Sequence, residues 1–174
     1  RTAPDDIYGV SKAAMEKATK ILSGVHKFKY VIIRPHNVYG PGQNPDGEYA
    51  VLIPKFIKLI RSGQLPKING DGKQSRDFTF VSDVVDANML AMATENKSAF
   101  GGIFNVGSGK ALTVSDVTKK IIKLAKSSIQ PIYGPSVIES KHTLADISKS
   151  KEILKWEPKI VFNEGLKTTF NYFS

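Results

Sequence analysis

The chain contains no cysteine. Disulfide frameworks and thiolate metal sites are therefore excluded, and a cytoplasmic protein fits. Histidine is scarce too, with only His26, His36 and His142, so no metal centre is expected. No apolar run approaches the roughly 20 residues that cross a bilayer, so no membrane partner is expected. The opening Arg1-Thr2-Ala3-Pro4-Asp5-Asp6 is polar and shows no secretory signal. Internal repeats and low-complexity segments are absent. Acid is in deficit, with 16 acidic against 25 basic residues and a net charge of +9. That balance invites a nucleic-acid reading. The lysines argue against it. Lys119, Lys120, Lys123 and Lys126 spread along one helical segment, and no basic cluster is interleaved with aromatics for base stacking. No nucleic-acid partner is expected, while a diffuse positive field would equally draw in an anionic small molecule.

What is present suits a globular chain with a real core: 174 residues, 41% hydrophobic and 24% charged. Its organising stretch is Tyr8-Gly9-Val10-Ser11-Lys12. Good helix formers follow at Ala13, Ala14, Met15, Glu16, Lys17 and Ala18, so a helix is expected over 7–23, with Gly24 as its stop. Tyr8 and Lys12 then share one helix face. A free phenol is a poor base at neutral pH, with a pKa of about 10. A neighbouring ammonium favours the phenolate, and such a pair can move a proton on and off an alcohol. The same four residues' spacing also occurs on ordinary solvated helix faces.

Residues 30–33, Tyr30-Val31-Ile32-Ile33, read as a strand buried on both faces. The following Arg34-Pro35-His36-Asn37-Val38-Tyr39-Gly40-Pro41-Gly42 reads as a shaped loop at the C-terminal end of a parallel strand, where ligands gather in open α/β sheets. A helix is expected over 51–60, with Leu52, Ile53, Phe56, Ile57 and Ile60 on its apolar face and Pro54 in its first turn. Residues 67–69 and 77–81 read as short strands around a turn-rich linker. Ser82 is a candidate cap for a helix over 83–94, with Val84, Ala87, Leu90 and Ala91 inward. Residues 102–106 form another strand, followed by Gly107-Ser108-Gly109. Strand, Gly-x-Gly and helix together suggest a dinucleotide turn, but its third glycine would be Leu112 and the phosphate-loop pattern also fails. The turn therefore reads as structural. Thr113 is a candidate cap for a helix over 114–125. A short strand over 129–133 and helices over 148–154 and 164–173 complete the chain.

Several blocks in order resemble the extended short-chain dehydrogenase/reductase family, within it the NAD-dependent nucleotide-sugar epimerases and dehydratases. They are Tyr8-Gly9-x-Ser11-Lys12, Arg34-Pro35-x-Asn37-Val38-Tyr39-Gly40-Pro41, Gly70-Asp71-Gly72-x-x-x-Arg76-Asp77-Phe78, Asn105-Val106-Gly107-x-Gly109 and Ala145-Asp146-Ile147-Ser148-Lys149, with Trp156-x-Pro158 after them. Gly47-Glu48-Tyr49-Ala50-Val51-Leu52-Ile53-Pro54 looks most like the UDP-hexose 4-epimerases.

The resemblance implies an α/β fold: the C-terminal part of a Rossmann-like doubly wound sheet, over 1–40 and 77–109, and a small mixed α/β substrate domain over 41–76 and 110–174. Tyr8 would exchange the proton of the sugar 4-hydroxyl, and Lys12 would hold the nicotinamide ribose and favour the Tyr8 phenolate. NAD would take hydride from C4 and return it to the other face of a rotated 4-keto sugar. His36 would lie beside the nicotinamide. Asn37 would touch the sugar diphosphate, although an Asn before Gly and Pro also forms turns. Leu52, Lys67 and Asn69 would border the base and phosphates of a UDP-sugar, Arg76 would bind its diphosphate, and Glu139 would lie near the ribose. The chain departs from the family at Asn69, where an aromatic often stands, at Ser136, where an arginine is usual, and at Ile138, where a glycine is expected. The family's Gly-rich NAD turn lies upstream of the Tyr block. The chain thus reads as the C-terminal part of a longer enzyme, inactive alone. Its uncovered sheet edge and helix face would favour a homodimer or aggregation. Sugar-nucleotide 4,6-dehydratases and decarboxylases share these blocks, and a non-catalytic sugar-nucleotide-binding fragment is a further reading.

Overall fold

A computed structural model describes residues 7–46, 52–137 and 140–173. The first element is helix α1, Ile7–His26. It runs past Gly24 because that residue keeps a helical backbone. Lys27 instead takes the left-handed conformation, φ 57°, and its N–H reaches Ser23 O at 2.9 Å, which closes the last turn. Strand β1, Val31–Pro35, follows, then β2, Val38–Tyr39, and helix α2, Leu52–Arg61. Strands β3, Lys67–Asn69, β4, Ser75–Asp77, and β5, Thr79–Phe80, lead into helix α3, Val81–Ala93. Beyond it lie β6, Gly102–Val106, β7, Ala111–Thr113, helix α4, Val114–Leu124, and β8, Ile132–Gly134. Helices α5, Ser148–Leu154, and α6, Phe162–Tyr172, end the fold.

Strand pairing is β1 with β6, β2 with β5 and β3 with β8, all parallel, and β4 with β7 antiparallel. The strand expected over 77–81 is two strands. Phe78 separates them by turning into the core, so β4 pairs with β7 and β5 with β2. Helix α3 then starts directly from the end of β5, with Phe80 in the capping position and no side-chain cap, so Ser82 lies inside the first turn. Leu90 is exposed, against the inward place expected for it. Thr113 does cap α4, its Oγ1 accepting from Asp116 N at 3.0 Å.

Two apolar clusters hold these elements. The larger joins Ile53, Phe56, Ile57 and Ile60 of α2 to Val117 and Ile121 of α4 and to Leu166 and Phe170 of α6. Spacings of three and four residues put one stripe of each helix inward. Gly165 lets α6 come close, because a Cβ there would lie 2.4 Å from the Tyr39 hydroxyl. The second cluster packs Phe104 and Val106 of β6 against Ala87 of α3, Leu154 and Trp156. The indole N–H of Trp156 donates to Asp83 O at 2.9 Å, so its burial leaves no donor orphaned.

Strand β1 is half-buried, not covered on both faces: β6 is its only strand partner among the described residues. Helix α1 buries no residue, and Ile7, Val10, Met15, Ile21 and Val25 stand exposed. A bidentate ion pair joins it to β1. Arg34 Nε donates to Glu16 Oε1 at 2.6 Å and Arg34 Nη2 to Glu16 Oε2. That hydrogen-bonded guanidinium holds the Glu16 carboxyl below its ordinary pKa, and Glu16 in turn raises Arg34. Among the described residues, no helix is long and apolar enough to cross a membrane.

Candidate active site

The residues read from the sequence fall into two groups. Asn37, Leu52, Lys67, Asn69 and Arg76 line one cavity of about 320 Å³. They reach it from four stretches of the chain. Asn37 sits between β1 and β2, Leu52 opens α2, Lys67 and Asn69 flank the buried Ile68 on β3, and Arg76 is the middle residue of β4. Strand alternation explains the β3 pair: with Ile68 in the core, its two neighbours face the opposite side. The Lys67 stem crosses Gly134, where an added Cβ would lie 2.5 Å from Lys67 Cε. Lys55 and Gln74 also line the cavity. Lys55 stands one helical turn from Leu52, a spacing that could have pointed to it. Gln74 sits in a loop with no periodic signal, and its Nε2 donates to Asn69 O at 2.8 Å.

Asn37 forms a turn and stands at the cavity wall. Its φ of 31° lies in the left-handed region that Asn tolerates. Its Nδ2 donates to Asp77 O at 3.1 Å while its own carbonyl accepts from Thr79 N at 3.3 Å. The turn thereby holds the side chain at the cavity wall. Arg76 Nη1 donates to Ser75 O at 2.9 Å.

Tyr8 and Lys12 form the second group. They share one face of α1, with the Lys12 ammonium 5.3 Å from the centre of the Tyr8 ring. Tyr8 is 65% exposed. His36 stands at the end of β1, where its N–H donates to Val106 O at 2.8 Å and its Nδ1 lies 3.3 Å from Arg34 O. Glu139 lies outside the described residues, as do Ile138 and 47–51. Tyr39 lines the cavity but is a poor acid–base group. Burial first, and the nearby Asp83 charge second, push its phenol well up, and its hydroxyl donates to Phe162 O at 3.2 Å.

The Gly107-Ser108-Gly109 turn has its N–H groups at Ser108 and Gly109 already engaged. Its Ser108 and Gly109 N–H groups, the donors that would meet a pyrophosphate, both point at the Asp77 carboxylate. Tyr8 and Lys12, by contrast, are exposed donors that suit a ribose and a reacting hydroxyl.

A family model described as the NAD dependent epimerase/dehydratase family matches residues 1–107. The chain belongs to that family. UDP-glucose 4-epimerase of Mycolicibacterium smegmatis is 30% identical over 171 residues, which are 98% of this chain and 53% of that protein. UDP-N-acetyl-alpha-D-glucosaminuronate decarboxylase of Bacillus cytotoxicus is 35% identical over 149 residues, 82% of this chain and 45% of that protein. The crystal structure of UDP-glucose 4-epimerase with UDP-glucose from Thermotoga maritima superimposes with a TM-score of 0.92 at 35% identity, over 98% of this chain and 54% of that one. The α/β fold is therefore that of the Rossmann-like epimerases, and the chain spans about half the length of the relatives it matches.

Proposed function

We propose that this chain is the Tyr/Lys and sugar-nucleotide part of an NAD-dependent epimerase that inverts C4 of a UDP-hexose. The observation that carries the reading is the meeting of Asn37, Leu52, Lys67, Asn69 and Arg76 around one cavity, from four separate stretches of sequence. The cations and amides in its lining suit a diphosphate and a base edge, and Leu52 adds an apolar contact. In this reading Tyr8, beside the Lys12 ammonium, takes the proton from the sugar 4-hydroxyl as its phenolate. The oxygen's electron pair then forms the C4 carbonyl as hydride leaves C4. NAD, when bound, would supply the acceptor for that hydride and its return to the opposite face of C4. Tyr8 gives the proton back to the C4 oxygen, so the hexose differs from the substrate only in its configuration at C4. Tyr8 and Lys12 would contact the nicotinamide ribose, with His36 beside the ring. The exposed apolar face of α1 would bury itself in a homodimer.

The decarboxylase of Bacillus cytotoxicus, at 35% identity, keeps a second reading in play, in which the same Tyr8 acts on a nucleotide-uronic acid or in a 4,6-dehydration.

Thermal unfolding of the 174-residue chain tests the cavity directly. UDP-glucose at about 100 times its Kd adds about 2.7 kcal/mol of stability, which raises Tm by several degrees. An unchanged Tm across a millimolar titration contradicts the reading. NAD alone is expected to move Tm little, since Tyr8 and Lys12 stand exposed on α1 and offer it few contacts.

A further inference from the structure

We propose that Asp77 is a positioning residue for the sugar-nucleotide cavity: its buried carboxylate fixes the strand that presents Arg76 and the carbonyl that holds Asn37. The proposal rests on the reading of the cavity given above.

Asp77 has no exposed surface. Strand alternation sends its side chain away from that of Arg76, into the body of the protein. There Oδ1 accepts from Ser108 N at 2.7 Å and from Ser108 Oγ at 2.5 Å. Oδ2 accepts from Gly109 N at 3.0 Å and from Ala145 N at 3.1 Å. Both oxygens are thus engaged by donors from two distant stretches, the turn after β6 and the segment at 145. That segment also runs beside β4 through Ser75 N to Lys141 O at 2.9 Å and Thr143 N to Ser75 O at 3.1 Å.

Gly107 is what lets the carboxylate approach this closely. A Cβ on Gly107 would lie 2.7 Å from Asp77 Oδ2 and 2.4 Å from the Ala145 Cβ. The main chain of Asp77 works toward the other side. Its carbonyl accepts from Asn37 Nδ2 at 3.1 Å, and its sequence neighbours Arg76 and Phe78 both line the cavity. One residue therefore ties the cavity wall to the end of β6, the strand that lies beside β1. Four donors converging on one acceptor group need an acceptor at both oxygens. An amide turns one of those oxygens into a donor facing donors, and the wall must move to relieve it.

Calorimetric titration of the 174-residue chain with UDP-glucose tests this, because it separates affinity from the number of competent sites. Asp77→Asn is expected to raise Kd about tenfold or more with the site count near that of the unaltered chain, since small displacements of binding groups are costly. Ser108→Ala removes one donor and keeps the backbone pair, so about a threefold rise is expected. A merely structural role lowers Tm and the site count and leaves Kd in place, and that result overturns the proposal. If Asp77→Asn does not fold, Ser108→Ala decides alone: a raised Kd supports the role and an unchanged Kd ends it. A failure of the unaltered chain to bind UDP-glucose takes down the cavity reading and this proposal together. Binding that is equal in all three chains takes down this proposal only.

Discussion

Tyr8→Phe, in a form of the protein that turns over substrate, is expected to lower kcat by about 10²–10⁴-fold and to leave UDP-hexose affinity within about threefold. The phenyl ring keeps its place beside the Lys12 ammonium, so α1 and its ion pair with β1 are undisturbed. What disappears is the oxygen that carries the proton. Affinity survives because the cavity is lined by Asn37, Leu52, Lys67, Asn69 and Arg76, and Tyr8 is not among its walls. Lys12→Met keeps the stem and deletes the cation beside the Tyr8 ring, so it should also depress kcat. Steady-state kinetics, with a binding isotherm for each variant, separates turnover from affinity. A fully active Tyr8→Phe enzyme removes Tyr8 from the chemistry.

Arg76→Met carries the second large effect, on binding. A guanidinium offers several donors in a fixed plane and keeps its charge at all working pH values. Losing charge-assisted hydrogen bonds to a phosphate costs about 1.5–3 kcal/mol. That corresponds to a rise in Kd of roughly 10- to 150-fold for UDP-glucose. Arg76→Lys restores the charge without the planar fork, so it should recover only part of the loss. The strand pairing of Arg76 with Leu112 is made by the backbone and is retained in both variants. Arg76 Nη1 also donates to Ser75 O, so Tm without ligand is measured for both variants to correct for any stability lost. The isotherms of the two variants then report on the phosphate contact and not on the fold.

The sequence made the elements legible wherever local physics decides them. The apolar stripe of α2, the cap at Thr113 and the strand at Gly102–Val106 follow from spacing and residue type alone. It failed where tertiary contacts choose. Nothing local says that Phe78 would divide one strand into two with different partners, or that Lys27 would close α1 in place of Gly24. The same division holds at the cavity. Asn37, Leu52 and Arg76 lie within motif blocks, Lys67 and Asn69 follow only from the family resemblance, and all five line the cavity. Lys55 belongs to the same walls but to no block, and Gln74 is an unspecified position within one. The bidentate pair of Arg34 with Glu16 bridges 18 residues of sequence and leaves no pattern that a reader of spacing would notice. Asp77 could be quoted as part of a motif, but its four donors come from around 108 and 145, which only the fold brings together.

Product analysis by proton NMR, after incubating UDP-glucose and NAD with a form of the protein that carries these residues together with a dinucleotide-binding half, tests the central claim most directly. The account predicts UDP-galactose, inverted at C4 and still bearing its C6 hydroxyl. A 4-keto-6-deoxy sugar, or release of carbon dioxide from a nucleotide-uronic acid in place of any inversion, would contradict it.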